Sequence, residues 1–157
     1  MIKILNLPKI NLPEIWYLKD KPGFFSKKPG YYSYNVTEQT RKLIYSLFPK
    51  DFFDSKSQIM AQIITAGVDG VIHKDVSRLF AINYLLDNGG EDAYLGLYNE
   101  NKDLIDSYKQ IPGEWLLLDT QKYHSVWDIK TKRVALSIQF FESNKKQTDY
   151  INENFIK

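Results

Sequence analysis

The chain has 157 residues, 43% apolar and 25% charged, enough for one folded core and too few for two. A net charge of +2 gives no clustered excess of Lys and Arg, so neither nucleic acid nor a membrane surface is expected as a partner. Cysteine is absent, which removes disulfides, thiolate metal sites and thiol nucleophiles together, and with no leader-like or spanning apolar run the expectation is a cytoplasmic protein.

In chain order, residues 2–7 form a short apolar strand candidate closed by Pro8 and Pro13, and residues 15–18 another. Residues 22–35 carry Gly23, Gly30, Pro29 and five aromatics, and are predicted as an irregular segment that packs on something else. Thr37 caps a predicted helix to about Phe48, in which Leu43, Ile44, Leu47 and Phe48 follow the spacing of one buried face and Pro49 ends the run. Strands are then predicted over 59–66, 71–75, 79–86, 93–98, 114–119, 123–129 and 133–141. The turns between them hold Gly67, Gly70, Asn88-Gly89-Gly90, Pro112-Gly113 and Lys130-Thr131-Lys132. Such spacing argues for an antiparallel sandwich or barrel with the helix covering one face. Residues 148–157 suggest a last short helix. The whole is expected as one domain: an N-terminal part (1–57), a barrel core (58–141) and a tail (142–157).

The chemistry gathers on the only two histidines. In His73-Lys74-Asp75 the i, i+2 spacing sends an imidazole and a carboxylate to one face of an extended segment. His124 follows 49 residues after Asp75, and Arg133 nine residues after His124. A two-residue turn at Lys130-Thr131 would set His124 against Ser137, Val126 against Ala135 and Asp128 against Arg133, bringing His124, Arg133, Ala135 and Ser137 to one side. Val134, Leu136, Ile138 and Phe140 then form an apolar stripe on the other side. Two imidazoles and a carboxylate on one face of a metal leave adjacent positions open, the arrangement of non-haem Fe(II) oxygenases. A buried Arg can clamp a distant carboxylate with two parallel hydrogen bonds. The plain alternatives are that Asp75 is a solvated turn residue and that Arg133 pairs with Asp128 on the surface.

The order His73-x-Asp75, His124, Arg133 resembles the 2-oxoglutarate/Fe(II)-dependent dioxygenases. The likeness extends to His73-Lys74-Asp75-Val76-Ser77-Arg78 with Ala81 to Leu86, to Asn88-Gly89-Gly90-Glu91, and to Pro112-Gly113-Glu114-Trp115 leading into His124-Ser125-Val126. It covers about residues 58 to 141. The resemblance implies a double-stranded β-helix, a jelly-roll or cupin-like barrel that is mainly β with one or two covering helices. It implies His73, Asp75 and His124 as Fe(II) ligands, Arg133 as the partner of the far carboxylate of 2-oxoglutarate, and Ser137 or Asn83 as further co-substrate contacts. In many members a Ser stands two residues after the Arg; here that position is Ala135. Arg78 and Trp127 are candidates on the substrate side, Arg78 also being placed to orient Asp75. The implied reaction consumes O2 and hydroxylates a small-molecule or peptide substrate with release of succinate and CO2. Two other readings stand beside it: a cupin-like dioxygenase or isomerase that does not use 2-oxoglutarate, and a non-catalytic binding barrel.

Overall fold

The computed structural model describes residues 2–13, 24–25, 29–54, 57–68, 70–141 and 145–156. The larger sheet has seven strands: β1 (Ile2–Leu5), β2 (Phe24–Phe25), β3 (Tyr31–Asn35), β4 (Gln58–Ile64), β5 (Phe80–Asn88), β8 (Trp115–Asp119) and β10 (Arg133–Phe140). Their spatial order is β1-β8-β5-β10-β4-β3-β2, and every neighbouring pair is antiparallel. The smaller sheet is β7 (Leu104–Tyr108), β6 (Tyr94–Tyr98) and β9 (Tyr123–Trp127), also antiparallel. Two sheets whose strands alternate in the chain make the antiparallel barrel expected from the strand spacing, of the jelly-roll, cupin-like kind that the resemblance implies.

Alternation along the strands divides the molecule. Leu136, Ile138 and Phe140 of β10 join Ile82, Tyr84, Trp115 and Leu117 in an outer core. Helix α1 (Glu38–Tyr45) and helix α2 (Lys145–Asn154) cover this face with Ile44 and Ile151. The Thr37 side chain accepts from the Thr40 backbone N–H, as predicted for the cap. The opposite face of the same sheet turns Leu116 and Leu118 toward Leu95 and Leu97 of the small sheet. Phe140 is fully buried and stacks on Phe80 with centroids 4.3 Å apart. Phe140→Ala is expected to lower the unfolding free energy by about 3–5 kcal/mol in a denaturant titration, through lost burial and the cavity left behind.

Four expectations need correction. β9 and β10 are not a hairpin: β9 pairs with β6, with His124 opposite Leu97, whereas β10 lies between β4 and β5 of the other sheet. The chain leaves β9 at Asp128, in a left-handed conformation (φ 57°), and Lys130 and Thr131 donate to the Gly89 carbonyl. That crossing replaces the proposed turn at Lys130-Thr131, and with it the pairing of Asp128 with Arg133. Residues 71–75 contribute one bridge, His73 with His124, not a full strand. Tyr31–Asn35, expected as irregular, is a strand because its backbone pairs antiparallel with β4 along its whole length. β7 was not anticipated; most of its residues are exposed, so no apolar alternation marks it. The strand predicted at 15–18 lies outside the described residues.

Candidate metal centre and its cavity

His73 and His124 exchange both backbone hydrogen bonds, N to O at 3.1 and 2.8 Å, so the two residues sit directly opposite each other. Their rings lie 4.5 Å apart. Gly70 permits this approach, since a Cβ there would run into the Ser125 side chain and the Val126 backbone. Asp75 is tied in by its N–H to the Thr120 carbonyl, and its Oδ1 stands 3.6 Å from His73 Nε2. One ligand atom from each of His73, Asp75 and His124 falls within 4.8 Å of the others, a group that could hold a metal ion.

The protonation pattern fits a metal. Nδ1 of His73 lies 2.6 Å from the Val71 carbonyl and Nδ1 of His124 lies 2.8 Å from the Lys122 carbonyl. A carbonyl only accepts, so each Nδ1 carries the proton and each Nε2 presents a lone pair. Metal-ligating histidines are normally fixed in this way. Arg78 Nε donates to Asp75 Oδ2 at 2.5 Å, which orients the carboxylate and leaves Oδ1 toward the histidines. Burial is the largest influence on His124 and lowers its pKa from the ordinary 6.5; the bond to Lys122 offsets part of this and the neighbouring His73 adds to it. The folded protein therefore takes up this proton less readily than the unfolded chain. The associated stability is complete above about pH 6.5 and is lost as the pH falls below the unfolded value toward the folded one. Denaturant midpoints of the metal-free protein should drop between about pH 7 and about pH 5, and His124→Gln should flatten that slope.

One cavity of about 220 Å³ is lined by His73, His124, Arg78, Asn83 and Arg133 together. Leu95, Leu118, Ile63, Ile64, Val126 and Ala135 give it apolar walls. Arg133 is 6% exposed. Its Nη1 donates to the Asn88 carbonyl (3.2 Å) and Oδ1 (3.0 Å), and its Nη2 to Gln110 Oε1 (3.2 Å). Among the described residues it forms no ion pair with a carboxylate. Burial brings its pKa down to about 10, with Asp87 and Tyr31 acting in the other direction, so it remains charged at neutral pH. Gly89 makes room for it, because a Cβ there would meet Arg133 Cβ at 2.8 Å.

The other predicted residues separate. Asn83 is on the cavity wall with its Oδ1 buried and unpartnered. Ser137 lies opposite Asn83 on the same face, fully buried, but it is Ala135 that lines the cavity. Arg78 lines the cavity and is engaged with Asp75. Trp127, opposite Tyr94 at the end of β9, stands outside the lining. Asn88 and Gln110 were missed. In the sequence Asn88 reads as a turn residue before Gly89-Gly90, and nothing local marks Gln110.

No protein-family profile and no curated protein matches the chain. Solved structures do, at the level of fold, and define its class as a cupin-type barrel. Ectoine synthase from P. lautus matches with TM-score 0.50 and 12% identity over 93% of this chain and 87% of that one. KdgF from Halomonas sp. matches with TM-score 0.51 and 10% identity over 83% and 98%. A 2OG-Fe(II) oxygenase family oxidoreductase from Burkholderia pseudomallei matches with TM-score 0.47 and 9% identity over 67% and 52%. The chain spans 28% of the length of another match, the 11S globulin procruciferin from Brassica napus, at TM-score 0.46 and 11% identity. No helix among the described residues is long and apolar enough to cross a membrane.

Proposed function

We propose that the chain is an Fe(II)- and 2-oxoglutarate-dependent oxygenase that hydroxylates a small molecule or a peptide side chain. The observation that carries this reading is that one cavity is lined by the two imidazoles and by a buried, charged Arg133 without a carboxylate partner among the described residues. An isolated buried cation is costly unless something pairs with it. A co-substrate with a carboxylate at its far end would supply that partner from within the same cavity.

In this reading His73, Asp75 and His124 would hold the iron. Arg78 keeps Asp75 oriented, Arg133 binds and aligns 2-oxoglutarate, and Asn83 offers a further polar contact. The apolar walls keep water from the reacting groups. The chemistry iron supplies when bound is the coupling of 2-oxoglutarate decarboxylation to substrate hydroxylation with O2.

The His73, Asp75 and His124 group taken by itself serves equally a second reading, a cupin-like metal enzyme that does not use 2-oxoglutarate. Such an enzyme has no need of the buried guanidinium. Anaerobic addition of Fe(II) and then 2-oxoglutarate to the full chain separates the two. A weak visible charge-transfer band, followed by succinate release on admission of air, is expected. Fe(II) binding without the band decides for the second reading.

A further inference from the structure

The hydrogen-bond partners of Arg133 are all neutral, and this deepens the proposed function, on which it rests. Near the start of β10 the register against β5 slips by one residue, so that Ala135 faces Leu85, Val134 faces Asp87 and Leu86 is left over. Carried on without the slip, the Ala135–Leu85 register would set Asp87 opposite Arg133, and opposed residues share a face. The bulge puts Asn88 there instead. Asp87 is exposed, and its Oδ1 accepts from the Gly89 N–H. A carboxylate that would have neutralised the guanidinium is thus replaced by an amide.

Gln110 supplies the second amide. It is 3% exposed and sits just before the Pro112-Gly113 turn, which is fastened to β5 through Gly113 N to the Leu85 carbonyl at 2.8 Å. Its Nε2 donates to the Glu114 carbonyl at 3.3 Å, which fixes which end of the amide faces Arg133. A guanidinium has five N–H groups. Two on Nη1 are matched by the two Asn88 oxygens and one on Nη2 by Gln110 Oε1. Among the described residues the Nε–H and the second Nη2–H have no further partner, and a carboxylate can take two guanidinium N–H groups at once with parallel bonds.

We propose that Gln110 is a positioning residue for carboxylate recognition: it holds Arg133 with a neutral acceptor, so that the guanidinium keeps its charge and its remaining N–H groups for the incoming acid. Selectivity for a keto acid with a second, distal carboxylate then depends on Gln110 as well as on Arg133. Glu in its place would put an internal anion on Nη2 and compete with the ligand.

The test uses the full chain loaded with Mn(II), without turnover, titrated calorimetrically with 2-oxoglutarate and with 2-oxobutanoate, which lacks the distal carboxylate. Gln110→Glu is expected to weaken 2-oxoglutarate binding by about 100-fold, close to the loss in Arg133→Met, because the charge is already matched. Its affinity for 2-oxobutanoate should stay within about twofold of wild type. Should Gln110→Glu fail to fold, Gln110→Met serves, with about tenfold weaker 2-oxoglutarate binding and the same indifference to 2-oxobutanoate. Undiminished 2-oxoglutarate affinity in the Gln110 variants, with loss in Arg133→Met, overturns this inference alone. Equal loss for both acids marks a general structural defect and also overturns it. A wild type that does not prefer 2-oxoglutarate to 2-oxobutanoate removes the 2-oxoglutarate reading and this inference with it.

Discussion

Asp75→Ala should strip the protein of iron while leaving it folded. The side chain is 16% exposed, and the residue stands outside the named strands; its N–H donates to the Thr120 carbonyl and its carbonyl accepts from Gln121 Nε2, bonds that the substitution leaves in place. Its loss frees Arg78, which is only partly buried and can reach water. Removing the one carboxylate from a set of three ligands is expected to lower Fe(II) affinity by more than about 100-fold, beyond the 10–100-fold typical of losing a group that merely supports a ligand. The measurements are iron retained after desalting, the anaerobic charge-transfer band with 2-oxoglutarate, and the unfolding midpoint. Iron and band should vanish together with the midpoint nearly unchanged. A band that survives in Asp75→Ala would mean that the three residues are not the metal site.

Arg133→Met should divide stability from function in another way. Replacing a buried charge that lacks an opposite charge by an apolar side chain of similar length removes the cost of keeping an ion out of water. Against this, Asn88 and Gln110 lose a donor, at about 1–3 kcal/mol. The two effects nearly cancel, so the thermal midpoint of the ligand-free protein should move little. Affinity for 2-oxoglutarate should fall by about 100-fold or more, since a desolvated charge pair is lost. Phe140→Ala is the complement: a large loss of stability at a residue facing away from the cavity. If Arg133→Met instead unfolds the protein and leaves 2-oxoglutarate binding intact in the folded fraction, the guanidinium is a structural group and the second reading of the function gains.

The residues differ in how much the sequence discloses about them. His73-x-Asp75 and the alternation from Arg133 to Phe140 are local patterns, and the structure places them as the spacing predicts: ligand atoms together, apolar residues under the helices. The pairing of β9 is not local. Nothing in residues 123–133 distinguishes a hairpin from a crossing between sheets, because the choice is made by Gly89 accepting from Lys130 and Thr131 and by β6 offering itself to His124. The expected meeting of His124 with Arg133 does occur, since both line one cavity, but they reach it from opposite sheets. The bulge in β5 and the arrival of Gln110 are equally hidden. Each depends on a strand contributed from elsewhere in the chain, and neither changes the apolar pattern that a sequence reading uses. β7 is hidden for the opposite reason, having no buried face to leave a pattern.

The pairing of Ile2 with Leu118 carries a consequence for how the molecule comes into being. During synthesis β1 emerges first and has no partner until β8 has been made, more than a hundred residues later. β10, the central strand that bears Arg133, is later still, and it must slot between two strands already present. Loop closures of this length are paid for before they are rewarded, which places such a topology among the slow folders, on a scale of about milliseconds to seconds. His73, Asp75, His124 and Arg133 therefore come together only as the last strands dock, and a ligand offered to the nascent chain would find no site to hasten its completion.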